Sequence, residues 1–361
     1  MTKSLKMSTI YLTCLVSLTA ARLVFGFINL SDNLSNWLFS LVMQCGLMGL
    51  MPFLMYRFIS PKDGLGFAAA AYLGPAPGAV VYLYAVIIGV LAFILNVGVS
   101  SLSYTFWEAV GYVSVSSSGT IYSGPEVLIL EVLTGSMMPA VFEEITHRGV
   151  LQGALEEQGV PDGAKVMLMA LFFGFGHQNI LQLIPTFVVG LTISYMAVKC
   201  RSVIPGMIVH FLNNFIITFA DYAEQTGLTW FNAVYNTFIN FMFSSVFALF
   251  GFMAVAAVLI IILLRELSKD QARAREGGKR KENYPDDVRD VFAGYGEAHS
   301  DGLTSNYYPR FGERRETLYR EEPGAVPGGK KADIAAVAVL AIGFIAIAAG
   351  TVFTLIWGIF R

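Results

Sequence analysis

The sequence predicts an all-α, polytopic membrane helix bundle of about eight core transmembrane helices plus a C-terminal single-span anchor. Of its 361 residues, 55% are hydrophobic and 14% charged, whereas soluble domains carry roughly 25% charged residues. The mean hydropathy is +0.61. Apolar runs near the roughly 20 residues that cross a bilayer occur at about 7–28, 37–57, 78–98, 126–150, 164–181, 183–198, 203–222, 243–264 and 334–358.

The first run follows Lys3 and Lys6 and extends past Arg22, which reads as an uncleaved signal anchor, with cleavage after Leu18-Thr19-Ala20 as the alternative. Lys and Arg then fall on alternate connections: Arg57 and Lys62, Lys165, Lys199 and Arg201, and the basic stretch from Arg265. The connections between them hold Glu108, Glu126 and Glu224 instead. Positive residues stay inside, so the expectation is a multi-pass protein of the cell membrane with its N-terminus cytoplasmic. Arg361 would then lie outside.

Residues 265–333 interleave charges with Gly, Pro and Tyr, and read as a charged, disordered cytoplasmic linker. The expected organisation is N-terminal transmembrane helices over 1–124, a functional core over 125–225 and a further transmembrane helix over 226–264. The linker follows, and then an anchor over 334–361 that lies outside the functional core. A net charge of −2 leaves no basic face for nucleic acid. Cys14, Cys45 and Cys200 lie in or beside apolar runs with neither metal-ligand spacing nor the number for a disulfide framework.

Ionisable residues inside membrane spans are costly and mark functional sites by default. Glu143, Glu144, His147 and Arg148 lie in the fourth run, His177 in the fifth, and His210, Asn213 and Asn214 in the seventh; of the four histidines only His299 is elsewhere. At about 1.5 Å per helical residue, counting from Gln152, Lys165 and Arg201 puts Glu143, His177 and His210 at depths of roughly 14, 18 and 14 Å. The three groups are therefore expected in one layer of the cytoplasmic half.

Residues four apart share a helix face. Glu144 and Arg148 form one such pair, Glu143 and His147 a second about 100° around, and His210 and Asn214 a third. A carboxylate in a low-dielectric pocket beside an imidazole or guanidinium can take a proton from water as general base. A histidine and an asparagine one turn apart can donate hydrogen bonds to the oxyanion formed when that water attacks an amide. No serine or cysteine nucleophile accompanies the set, and Phe173, one turn before His177, reads as packing.

EEITHR, FFGFGH and HFLNN resemble the three motifs of the CPBP intramembrane proteases, the type II CAAX prenyl endopeptidases and their bacterial relatives: Glu-Glu-x-x-x-Arg, Phe-x-x-x-His and His-x-x-x-Asn. The resemblance spans about 125–225, with the motifs in order and each on its own apolar segment. It implies a glutamic endopeptidase in which Glu143 activates water with help from His177, His210 and Asn214 form the oxyanion site, and Glu144 and Arg148 support it. The implied substrate is a membrane-embedded or lipidated peptide, cut in some relatives near a prenylated C-terminus. No cofactor is required in such an enzyme. His147 departs from the family pattern, which commonly has an aromatic residue before the arginine.

Other chemistries fit some of the same residues. Glu143, His147, His177 and His210 are suitable zinc ligands, although their order is neither His-Glu-x-x-His nor its inversion. Buried Glu and His residues also serve proton-coupled transporters, which often show repeated halves and interrupted spans not evident here. Some relatives are linked with bacteriocin immunity, which suggests a noncatalytic immunity or scaffold role as a third class.

Overall fold

The computed structural model describes residues 2–25, 32–59, 66–76, 78–113, 119–282 and 333–360, leaving out the side chains of 275–282. Lys62, His299, Arg361 and the linker over 283–332 lie outside the described residues. The described residues form helices and no strand. In chain order these are α1 (Lys3–Phe25), α2 (Asn33–Ile59), α3 (Phe67–Ala70), α4 (Val80–Ala109), α5 (Pro125–Glu157) and α6 (Asp162–Gly176). There follow α7 (Ile180–Cys200), α8 (Ile204–Thr226), α9 (Thr229–Met242), α10 (Val246–Glu282) and α11 (Ile334–Phe360).

Eight of the described helices are long and apolar enough to cross a membrane, namely α1, α2, α4, α5, α7, α8, α10 and α11. Many of their large apolar side chains, including Leu83, Val90, Phe250, Ile262 and Ile345, are exposed on the bundle surface, as lipid-facing residues should be. The chain is a multi-pass helical membrane protein.

The expected span at 164–181 is corrected. Its helix, α6, ends at Gly176; Gln178 takes a left-handed φ of 50°, and Asn179 caps α7 by accepting a 3.0 Å hydrogen bond from Leu181 N. A non-glycine residue in the left-handed region cannot continue a helix, and Asn is a strong N-cap. The run therefore breaks at His177, and α6 spans only about 22 Å.

Helix α10 continues through Glu282, into the stretch read as linker from 265. Tyr84 of α4 donates to Asp270 at 3.1 Å along this extension, and Leu267 is buried against α4 and α7. A second addition is α9, a short helix whose sequence merges into the connection after 222.

The last helix is also corrected. Rather than standing outside the functional core, α11 packs along α1 and α6, and its Leu340 and Ile347 share a buried cluster with Met7, Tyr11, Leu15 and Phe172. Thr351 Oγ1 donates to Phe175 O at 3.3 Å, and Thr2 bonds to Asp333 at the other end of the pair. Its Ala-, Ile- and Val-rich composition suits close packing on a neighbouring helix as well as it suits lipid.

Close approach is built in at Gly149 of α5. A Cβ there would stand 2.8 Å from the Ala71 carbonyl oxygen, which is backbone and cannot yield as a flexible side chain would. Gly149→Ala should therefore lower stability by about 1–3 kcal/mol through overpacking, outweighing the about 1 kcal/mol that alanine gains over glycine inside a helix. Thermal unfolding of the solubilised protein measures this, and an unchanged or raised midpoint would contradict it.

Candidate active site

Glu143, His177, His210 and Asn214 line one cavity of about 570 Å³, walled by α4, α5, α6, α7 and α8. Three features of the chain bring them together. Helix α5 carries Glu143 at mid-length, the break after α6 leaves His177 at that helix's C-terminus, and α8 places His210 and Asn214 one turn apart.

The layer lies deeper than sequence counting indicates. Gln152, the polar residue used as the boundary, is buried, and α5 runs on to Glu157. Glu143 is then about 21 Å along the helix from Glu157, and His177 about 22 Å from Asp162, near the middle of a bilayer of about 40–45 Å including its headgroups.

Glu143 Oε1 accepts a 2.7 Å hydrogen bond from Gln44 Nε2 of α2, while its Oε2 has no hydrogen-bond partner among the described residues. Arg22 of α1 lies within electrostatic reach of Glu143 and donates through Nη1 to the Gly176 and His177 carbonyls, at 2.9 and 2.6 Å. Those carbonyls belong to the end of α6, where helix acceptors lack intrahelical partners and the dipole favours a cation.

Neighbours fix the histidine tautomers. His177 Nδ1 sits 2.9 Å from the Phe173 carbonyl, and His210 Nδ1 sits 2.9 Å from Glu144 Oε1. A carbonyl and a carboxylate can only accept, so both Nδ1 atoms carry hydrogen and both Nε2 atoms remain for other partners.

Glu144 and Arg148 lie behind the cavity and are both fully buried. Arg148 donates to Glu144 Oε1 at 2.9 Å, to Ser194 Oγ at 3.2 Å and to Gly190 O at 3.3 Å. Its guanidinium also lies 4.3 Å from the centre of the Phe173 ring. That ring meets His147, His177 and His210 edge-on at 5.3, 4.9 and 5.6 Å. Phe173 thus packs, and what it packs is the histidine set.

The expected pairing of Glu143 with His147 is not formed. After Glu144 the helix widens to π geometry over Ile145–Leu151, which resets the register of the residues that follow, as single π turns often do at functional sites. His147 is buried, with Nδ1 2.8 Å from the Tyr11 hydroxyl. Among the described residues no three His, Cys, Asp or Glu side chains are placed to hold a metal ion.

The seventh run offered two asparagines. Asn213 accepts from Asn96 Nδ2 at 3.1 Å and donates to Asn214 Oδ1 at 3.2 Å. With its oxygen occupied by Asn213, Asn214 has its amide N–H groups left for other partners. Gln44, Arg22, Asn96, Tyr11 and Ser194 escape the motif reading. The available signal for Arg22, Gln44 and Asn96 was a polar side chain within an apolar run.

No curated protein and no solved structure matches the chain. Residues 125–216 match the family model described as "Type II CAAX prenyl endopeptidase Rce1-like". By this match, the segment that carries Glu143, His177 and His210 is similar to the type II CAAX prenyl endopeptidases of the Rce1-like kind.

Proposed function

We propose that the protein is an intramembrane endopeptidase that hydrolyses a peptide bond of a membrane-associated polypeptide with a glutamate-activated water and no required metal. The observation that supports this most is the shared cavity of Glu143, His177, His210 and Asn214, together with the unpartnered Oε2 of Glu143. In this reading Glu143 Oε2 takes a proton from water as the water oxygen bonds to the scissile carbonyl carbon, and His177 Nε2 accepts a hydrogen bond that orients the water.

The resulting oxyanion receives Asn214 N–H and, when its ring is doubly protonated, His210 Nε2–H. Glu144, accepting from His210 Nδ1, supports that imidazolium. As the tetrahedral species collapses, the C–N bond breaks and the proton held on Glu143 passes to the leaving amine. Water is consumed, and one carboxyl and one amino terminus form.

The test is incubation of the reconstituted protein with membrane-anchored peptides, products being read by mass spectrometry for wild type and Glu143→Gln. Cleavage by wild type alone is expected; no cleavage, or equal cleavage by both, would sink the reading. The asparagine relay makes a graded prediction. Asn214→Leu should lower kcat by about 100- to 1000-fold, as loss of an oxyanion donor does. Asn213→Leu should cost less, up to about 100-fold by misplacement. A rate series in which Asn213→Leu is the more damaging would reverse the assignment.

A further inference from the structure

The cavity is lopsided along the membrane normal. On α4 it is lined from Asn96 through Ser100 to Tyr104, and on α8 from His210 to Thr218. On α7 its lining runs from Val189 back to Leu181, and on α5 from Glu143 back to Gly135. Each of these four series starts at the site layer and proceeds toward the same end of the bundle. Two hydrogen bonds identify that end: Ser103 to Leu181 O, and Tyr122 to Thr218 O.

Toward the opposite end the site is floored. Glu144, Arg148, Leu151, Ile193 and Met196 are buried there with no more than a trace of exposure, and none of them lines the cavity.

The two ends also differ in charge. Lys3, Lys165, Lys199, Arg201 and Lys269 stand at the floored end, where Lys3 pairs with Glu157, and Lys165 and Lys199 pair with Asp162. The cavity end carries Asp32, Glu108, Glu126, Asp221 and Glu224. Among the described residues no lysine lies there, and Arg22 is turned inward onto the carbonyls of Gly176 and His177. Positive residues flanking spans remain on the cytoplasmic side.

We infer that the cavity opens to the extracytoplasmic side, and that the substrate is a polypeptide presenting its scissile bond from that side, such as a translocated or secreted peptide still held in the bilayer. A cytoplasmic lipidated C-terminus would meet the closed floor. The substrate class rests on the protease reading, whereas the direction of opening stands on geometry and charge and is tested without activity.

The experiment uses the full chain in intact cells, with Cys45→Ala as background and the buried Cys14 and Cys200 retained. Thr218→Cys and Ser100→Cys probe the cavity, and Ala164→Cys, exposed at the floored end, is the control. A charged, membrane-impermeant maleimide should label both cavity cysteines as fully in intact cells as after permeabilisation. Ala164→Cys should label only after permeabilisation. Labelling of Ala164→Cys in intact cells, or cavity cysteines that react only after permeabilisation or not at all, would overturn the inference. Cleavage lost in Glu143→Gln would still support the protease in those cases.

Discussion

Glu143→Gln should lower peptide cleavage by about 100- to 10,000-fold, the range a positioned general base contributes, while leaving the unfolding midpoint where it is. The substitution is nearly isosteric, and the new side-chain carbonyl can still accept from Gln44 Nε2, which bonds Glu143 Oε1 at 2.7 Å. What disappears is a basic Oε2, the atom that has no hydrogen-bond partner among the described residues. Cleavage assays and thermal unfolding on the same preparation check both halves. A variant that cuts normally removes Glu143 from the mechanism, and one that fails to fold makes its role structural.

Arg148→Met should produce the complementary result, a large loss of stability that carries activity down with it. Arg148 and Glu144 are both at 0% side-chain exposure and 2.9 Å apart. Removing one member of a buried pair leaves an uncompensated charge, at a cost of about 3–5 kcal/mol. Glu144 would retain His210 as a partner, while Ser194 and Gly190 would lose theirs. The double variant Glu144→Gln, Arg148→Met should regain part of the lost stability, since no isolated charge then remains. Equal unfolding midpoints for wild type and Arg148→Met would show that the pair contributes nothing.

Composition and run length made the helical membrane class legible, because crossing a bilayer demands length and apolarity that the local sequence must carry. The Glu144–Arg148 pair was legible for a similar reason, being one turn apart on one helix. The partners that complete the site came from elsewhere in the chain. Gln44 reaches Glu143 from α2, Asn96 reaches Asn213 from α4, and Tyr11 reaches His147 from α1, so no spacing links them.

The break at Gln178 hid within an apolar run because hydropathy does not report backbone dihedrals. The π turn after Glu144 hid for the same reason; Glu144 and Arg148 stay paired across it, whereas His147 is bonded to Tyr11 rather than Glu143. Helix α11 was misplaced because an all-apolar segment reads alike whether its neighbour is lipid or protein.

The docking of α11 on α1 sets an order of biogenesis. Helix α1 leaves the ribosome well before α11, yet Leu15 of the one and Leu340 and Ile347 of the other belong to a single buried cluster. Until α11 is made, the part of the cluster that it covers has acyl chains beside it instead. Lipid tails are as apolar as leucine, so the nascent chain can wait in the bilayer at little cost. The cluster that also holds Tyr11 and Phe172, the packing behind His147, is completed only once α11 has been made.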